Sequence, residues 1–147
     1  MTPLEIDFPD LAKEPWSKTS DADPKYNCIA FAAGRTDVFW WPDDYSDEES
    51  DYWPHGIPRE ESISAFILLF QSLGYQLCPD GSLEAGHEKV AIFALGEVPT
   101  HAARQLNTGQ WTSKLGPHED IVHETPNGLA GPCYGKVVQF MRRIVTA

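Results

Sequence analysis

The stretch Tyr26-Asn27-Cys28-Ile29-Ala30-Phe31-Ala32-Ala33-Gly34 carries a cysteine into a run with almost no polar face. Asp23-Pro24 is a helix-start signal and Gly34 stands where a left-handed cap is common. The spacing therefore predicts a short buried helix from about Pro24 to Ala33. A thiol in the first turn of a helix feels the positive end of the dipole, which favours the thiolate. If Cys28 is a nucleophile, an imidazole must come to it from elsewhere. The best candidate is His101, in Pro99-Thr100-His101-Ala102-Ala103-Arg104-Gln105.

Ahead of that helix, residues 1 to 22 form a mixed arm interrupted by Pro9 and Pro15, with Phe8, Leu11 and Trp16 to attach it to the body. Residues 37 to 58 read as a long loop, pinned at both ends by Trp-Pro anchors and acidic at its tip. Trp40, Trp41 and Trp53 either fill core volume or wall a substrate cleft beside Cys28. The acidic tip lacks the ordered spacing of a calcium loop. Arg59 to Leu73 predicts a second helix with Ile63, Phe66, Ile67, Phe70 and Leu73 on one face.

From Tyr75 the period shortens. Tyr75 to Cys78 alternates as a short strand, Lys89 to Leu95 reads as a strong strand, and Thr100 to Leu106 and Trp111 to Leu115 flank Asn107-Thr108-Gly109 as a hairpin. Ile121-Val122-His123 adds a strand. Val137, Phe140, Met141, Ile144 and Val145 recur at helical spacing, which predicts a final helix. Helices followed by an antiparallel meander make an α+β domain.

The chain has 147 residues, 41% hydrophobic and 12% aromatic, enough for one packed domain. A net charge of −11 opposes binding to nucleic acid or anionic membranes. No run approaches the roughly 20 apolar residues of a membrane span. The first residues lack the pattern of a signal peptide, which places the chain in the cytoplasm unless it leaves by another route. Cys28, Cys78 and Cys133 make no disulfide framework. Cys28, His101, His123 and Cys133 contain no close ligand pair of the kind structural zinc sites use, so no metal or other cofactor is expected. Cys78 and Cys133 read as structural, and His55, His87 and His118 as loop residues. Ser113 lacks the Gly-x-Ser-x-Gly elbow of a serine nucleophile.

A helix-borne cysteine followed by a strand-borne histidine is the chain order of papain-like cysteine hydrolases. At Asn27-Cys28-Ile29-Ala30, His101 and the following hairpin, the chain resembles their NlpC-type branch of small cell-wall peptidases and amidases, with acyltransferase relatives. Tyr26 to Gly34, Trp53-Pro54-His55-Gly56, Thr100 to Gln105 and Trp111 to Gly116 are also similar to a group of small bacterial proteins of no assigned activity. The resemblance covers about half the chain and implies a papain-like fold, N-terminal helices packed on an antiparallel sheet. It also implies a third polar residue on the strand after the histidine. If the hairpin turns about Thr108, Ser113 shares the His101 face, although the family usually offers His, Asn or Asp there. Asp120, His123 and Gln105 are the other choices. An oxyanion hole would draw on the Cys28 N–H with Tyr26 or Asn27.

The leading expectation is a cysteine hydrolase or acyltransferase acting on an amide, peptide or ester bond. Cys28 attacks, His101 is the general base, Ser113 is the third residue, and Asn27, Trp40 and Trp53 line the substrate. The alternatives are a catalytically inactive, immunity-like module that holds a protein partner with its acidic, Trp-rich loop, and a small-molecule binding domain walled by the same aromatics.

Overall fold

The computed structural model describes residues 2–21, 26–36, 40–42, 53–115 and 119–145. The expected helix start at Asp23-Pro24, the acidic loop tip and His118 lie outside them. The architecture is mixed α and β, a few short helices on an antiparallel sheet. No helix of the described residues is long and apolar enough to cross a membrane.

Helix α1 spans Pro3–Asp7 and is closed at its start by a reciprocal cap between Thr2 and Glu5. A 3-10 turn, Pro9–Lys13, leads into strand β1, Trp16–Ser20. Helix α2 is Cys28–Ala32, and helix α3 is Ile63–Ser72, capped by the Ser62 hydroxyl on the Ala65 N–H. Strands β2 (Gln76–Cys78), β3 (His87–Leu95), β4 (Val98–Gln105), β5 (Trp111–Lys114), β6 (Asp120–His123) and β7 (Lys136–Ile144) follow. They form one sheet in the order β1-β6-β5-β4-β3-β7-β2, with every neighbouring pair antiparallel.

The expected final helix is a strand. Residues Lys136–Ile144 run between β3 and β2, and apolar side chains leave both faces of that strand. Val138 and Met141 meet α2 and α3, whereas Val137 and Phe140 meet the opposite core. The register also slips at Val138, because Ile92 pairs with Gln139 and Phe93 with Val137. A strand covered on both faces and bulged in the middle loses its period of two. Trp16–Ser20, expected as part of an irregular arm, pairs with β6 at the sheet edge.

Two cores result. On one face, α2, α3, Trp40 and Trp53 pack against Val90, Ile92, Ala102 and Met141. Trp41 and Trp53 stand 5.6 and 5.4 Å from the Phe66 ring, and the Trp53 indole donates to the Pro58 carbonyl at 3.0 Å. On the other face, Phe8 and Leu11 of the arm cover Ala91, Phe93, Ala103, Trp111 and Ile121, so the arm is attached as expected. Burial of this kind contributes about 25 cal/mol for each Å² of apolar surface removed from water.

Gly131 and Gly135 exchange backbone hydrogen bonds at 2.8 Å and close a tight loop that carries Tyr134. Gly135 adopts φ +78°, and a Cβ there would run into the Ala94 carbonyl. Gly135→Ala is expected to cost at least about 2 kcal/mol, from left-handed strain plus overpacking, as a lowered urea midpoint. An unchanged midpoint would mean the loop does not press on β3.

Candidate active site

The start of α2 is built by Asn27. Its Oδ1 accepts the Ala30 N–H at 3.2 Å and the Trp40 N–H at 3.0 Å, and its Nδ2 donates to the Trp40 carbonyl at 2.7 Å. Asn27 is thus an N-cap that also fastens Trp40, and both polar ends of its amide are engaged. The Tyr26 hydroxyl is equally committed, donating to Asp120 Oδ2 at 2.7 Å.

Cys28 follows the cap and faces the backbone of β4. Its thiol makes a weak contact with the Thr100 carbonyl at 3.9 Å and meets the Ala102 N–H, so it touches the residue on each side of His101. The local backbone helps to make that approach. Phe93 pairs with His101 and Ala94 with Pro99, which leaves Thr100 as an extra residue directly before the histidine. The β4–β5 ladder holds two residue pairs, Arg104↔Thr112 and Gln105↔Trp111.

The thiolate expected from the helix dipole is not the resting form. Cys28 is 5% exposed, and burial pushes its thiol up to about 11. The N–H groups of Ala102, Ile29 and Cys28 pull in the opposite direction and are outweighed. A helix of only five residues adds little dipole to set against that desolvation.

His101 packs against Phe93, its cross-strand neighbour, whose ring centroid is 5.2 Å away. Its polar partners form a chain whose proton positions follow from what each atom can do. His123 Nδ1 lies 2.8 Å from the Thr125 carbonyl, which can only accept, so Nδ1 carries the proton. Burial lowers the His123 pKa to about 4, so the ring is neutral and its Nε2 is an acceptor. The Ser113 hydroxyl, 2.8 Å away, donates to it. That uses the only proton Ser113 has, so its oxygen accepts from His101 Nε2–H at 3.1 Å. His101 Nδ1 then bears a lone pair; it is buried and has no hydrogen-bond partner among the described residues. Burial, and repulsion from His123, hold the His101 pKa well below the usual imidazole range.

No hydrogen bond joins Cys28 to His101 in this state. His101 Nε2 is engaged by Ser113 and its Nδ1 has no partner among the described residues, while the thiol meets the β4 backbone on either side of the ring. A second aromatic fixes that ring from above. Tyr134 stacks on it at 4.2 Å with 7° between the planes, and the Tyr134 carbonyl accepts the Thr100 hydroxyl at 2.6 Å. Burial raises the Tyr134 phenol, and the Cys28 and Cys133 thiols add to that rise.

The structure thus brings His101 and Ser113 together, as the hairpin register implied, and adds His123 in series with Ser113 rather than in its place. Asp120 points to the helix face, 3.8 Å from the Lys114 ammonium. Gln105 shares the His101 face but donates to the Gly81 carbonyl at 2.8 Å. Trp40 and Trp53 are core residues in this state. Cys133 is exposed and contacts the Asp7 carbonyl at 3.5 Å. Among the described residues, no group of three or more His, Cys, Asp or Glu side chains converges as a metal site. Tyr134 has no motif around it, and the Gly131/Gly135 spacing is its local signal.

An antiparallel sheet presenting an imidazole–hydroxyl–imidazole chain beside a buried thiol defines the class of site. The family model described as "Domain of unknown function (DUF7689)" matches residues 17–142, and the chain belongs to that family. No curated protein and no solved structure matches the chain.

Proposed function

We propose that the protein is a papain-like cysteine hydrolase or acyltransferase in which Cys28 is the nucleophile and His101 Nδ1 its base. The observation that carries this reading is the directed chain Thr125–His123–Ser113–His101, which leaves Nδ1 as the ring's free lone pair. Ser113 and His123 orient the base, the task that a third polar residue performs in a catalytic triad.

As the Cys28 sulfur attacks the carbonyl carbon of an amide or ester, its proton passes to Nδ1 and the carbonyl oxygen becomes an oxyanion. Collapse breaks the C–N or C–O bond, the leaving group takes the Nδ1 proton, and a thioester remains on Cys28. Water, or an acceptor amine or alcohol, then attacks the thioester and gives its proton to Nδ1; the C–S bond breaks, the departing sulfur takes that proton, and the acid, amide or ester product leaves. The resting pair is neutral, so proton transfer accompanies attack rather than preceding it, and thiol and ring must first close on each other. Since Tyr26 and Asn27 are engaged, the Tyr134 hydroxyl is the side-chain donor suited to the oxyanion, beside backbone N–H groups. A surface of charge −11 disfavours anionic substrates.

The burial of Cys28 and its raised pKa favour a second reading, a non-catalytic module that holds a protein partner through its acidic surface. Reaction with p-nitrophenyl acetate, in a background with Cys78 and Cys133 changed to serine, separates the two. The hydrolase reading predicts one acetyl group on Cys28 by mass spectrometry, formed about 100-fold more slowly in His101→Ala. Tyr134→Phe is expected to slow acetylation about 100-fold yet leave alkylation by iodoacetamide unchanged, because alkylation passes through no oxyanion. A Cys28 that stays free of acetyl in the folded protein would assign the chain to the non-catalytic reading.

A further inference from the structure

We propose that Glu14, in the arm that precedes the family-matching residues, is a positioning residue for His101. The inference rests on the hydrogen-bond chain behind the hydrolase reading, and it adds the chain's outer anchor. The Thr125 carbonyl sets the proton on His123 Nδ1 and so determines every later proton in the series. Thr125 is itself held by Glu14, whose carboxylate accepts the Thr125 N–H at 3.1 Å and the Thr125 hydroxyl at 2.7 Å. Hydrogen bonds to a carboxylate are the stronger kind.

The fit around that carboxylate is specific. A Cβ at Gly128 would run into the Glu14 carboxylate, so the 3-10 turn Pro126–Leu129 leaves room for it by having no side chain there. The arm also reaches the other end of the site. Phe8 packs at 5.0 Å on Tyr134, the ring that stacks on His101. Leu11 is buried in the same core, between these two contacts along the arm. One short segment therefore braces both the last acceptor of the chain and the ring that covers its first imidazole.

If Thr125 is released, His123 loses the acceptor that selects its Nδ1–H tautomer. With the proton on Nε2, His123 donates to Ser113, the Ser113 hydroxyl turns to His101 Nε2, and the His101 proton moves to Nδ1. The base is then blocked, although Glu14 touches neither Cys28 nor His101.

The test is the 15N ring spectrum of His101 and His123 at pH 7 in the full chain, for the native protein, Glu14→Ala, Glu14→Gln and Gly128→Ala. Losing a charge-assisted pair is expected to shift the ratio of His101 Nε2–H to Nδ1–H about tenfold toward Nδ1–H in Glu14→Ala. Gly128→Ala, which crowds the carboxylate out, is expected to match it. Glu14→Gln keeps one acceptor oxygen and is expected to fall between. A purely structural role would lower the urea midpoint without moving the His101 tautomer. A ratio within twofold of native in both alanine variants would overturn the proposal. The outcome is independent of chemistry at Cys28: failure of native acetylation sinks the hydrolase reading alone, and an unmoved tautomer sinks the Glu14 role alone.

Discussion

Ser113→Ala is expected to destabilise the protein by about 3 kcal/mol, because it orphans two buried imidazoles at once. The Ser113 hydroxyl is fully buried, and it is the atom through which His101 and His123 meet. Alanine keeps the volume of the Cβ and removes only the oxygen. His101 Nε2–H and His123 Nε2 are then both left in a dry site, each at the desolvation cost of an unpaired polar group. For a chain of this length that corresponds to a fall of about 6–12 °C in the thermal midpoint. A fall of 2 °C or less would mean that the two imidazoles find other partners and that the chain is not a unit.

The second large effect is on acid stability. In the unfolded chain a histidine takes up its proton near pH 6.5, whereas His123 in the folded protein stays neutral until about pH 4. Between those values the unfolded state binds more protons, so stability rises with pH and is lost as pH falls. His123 alone is expected to remove about 3 kcal/mol across that window. His101, lowered by burial and by its neighbour, acts in the same direction. Near pH 5.5 His123 is expected to give a slope of about 1.2 kcal/mol per pH unit in urea-derived unfolding free energy, lost in His123→Gln, with His101 adding to the native slope in the same direction. The slope is the useful quantity, because it survives any change in absolute stability that the substitution brings. A flat profile from pH 6.5 to 4.5 would contradict the burial of two neutral imidazoles.

What the sequence disclosed follows from how local each determinant is. The hairpin about Thr108 was legible because a Gly-containing turn sets its own register, and that register put Ser113 on the His101 face. Helix α3 was legible from its apolar spacing and the Gly74 stop, though it begins only after the Ser62 cap. The C-terminal strand was not, because its bulge at Val138 and its two covered faces erase alternation and leave an accidental helical spacing. The Cys28 thiol is raised rather than lowered, since the dipole is local while desolvation depends on everything packed around the thiol. His123 was visible as a candidate, but its place in series with Ser113 depends on β5–β6 pairing, which brings strands together by register rather than by motif. Glu14 and Tyr134 belong to contacts across 111 and 33 positions of chain, and no short pattern announces either.

The most direct test is the protonation pattern of the two buried imidazoles in the native protein, read from long-range 1H–15N correlations at pH 7. The predicted result is a proton on Nε2 and a lone pair on Nδ1 for His101, with a proton on Nδ1 and a lone pair on Nε2 for His123. A His101 ring protonated at Nδ1, or at both nitrogens, would leave Cys28 without a base and contradict the proposed mechanism.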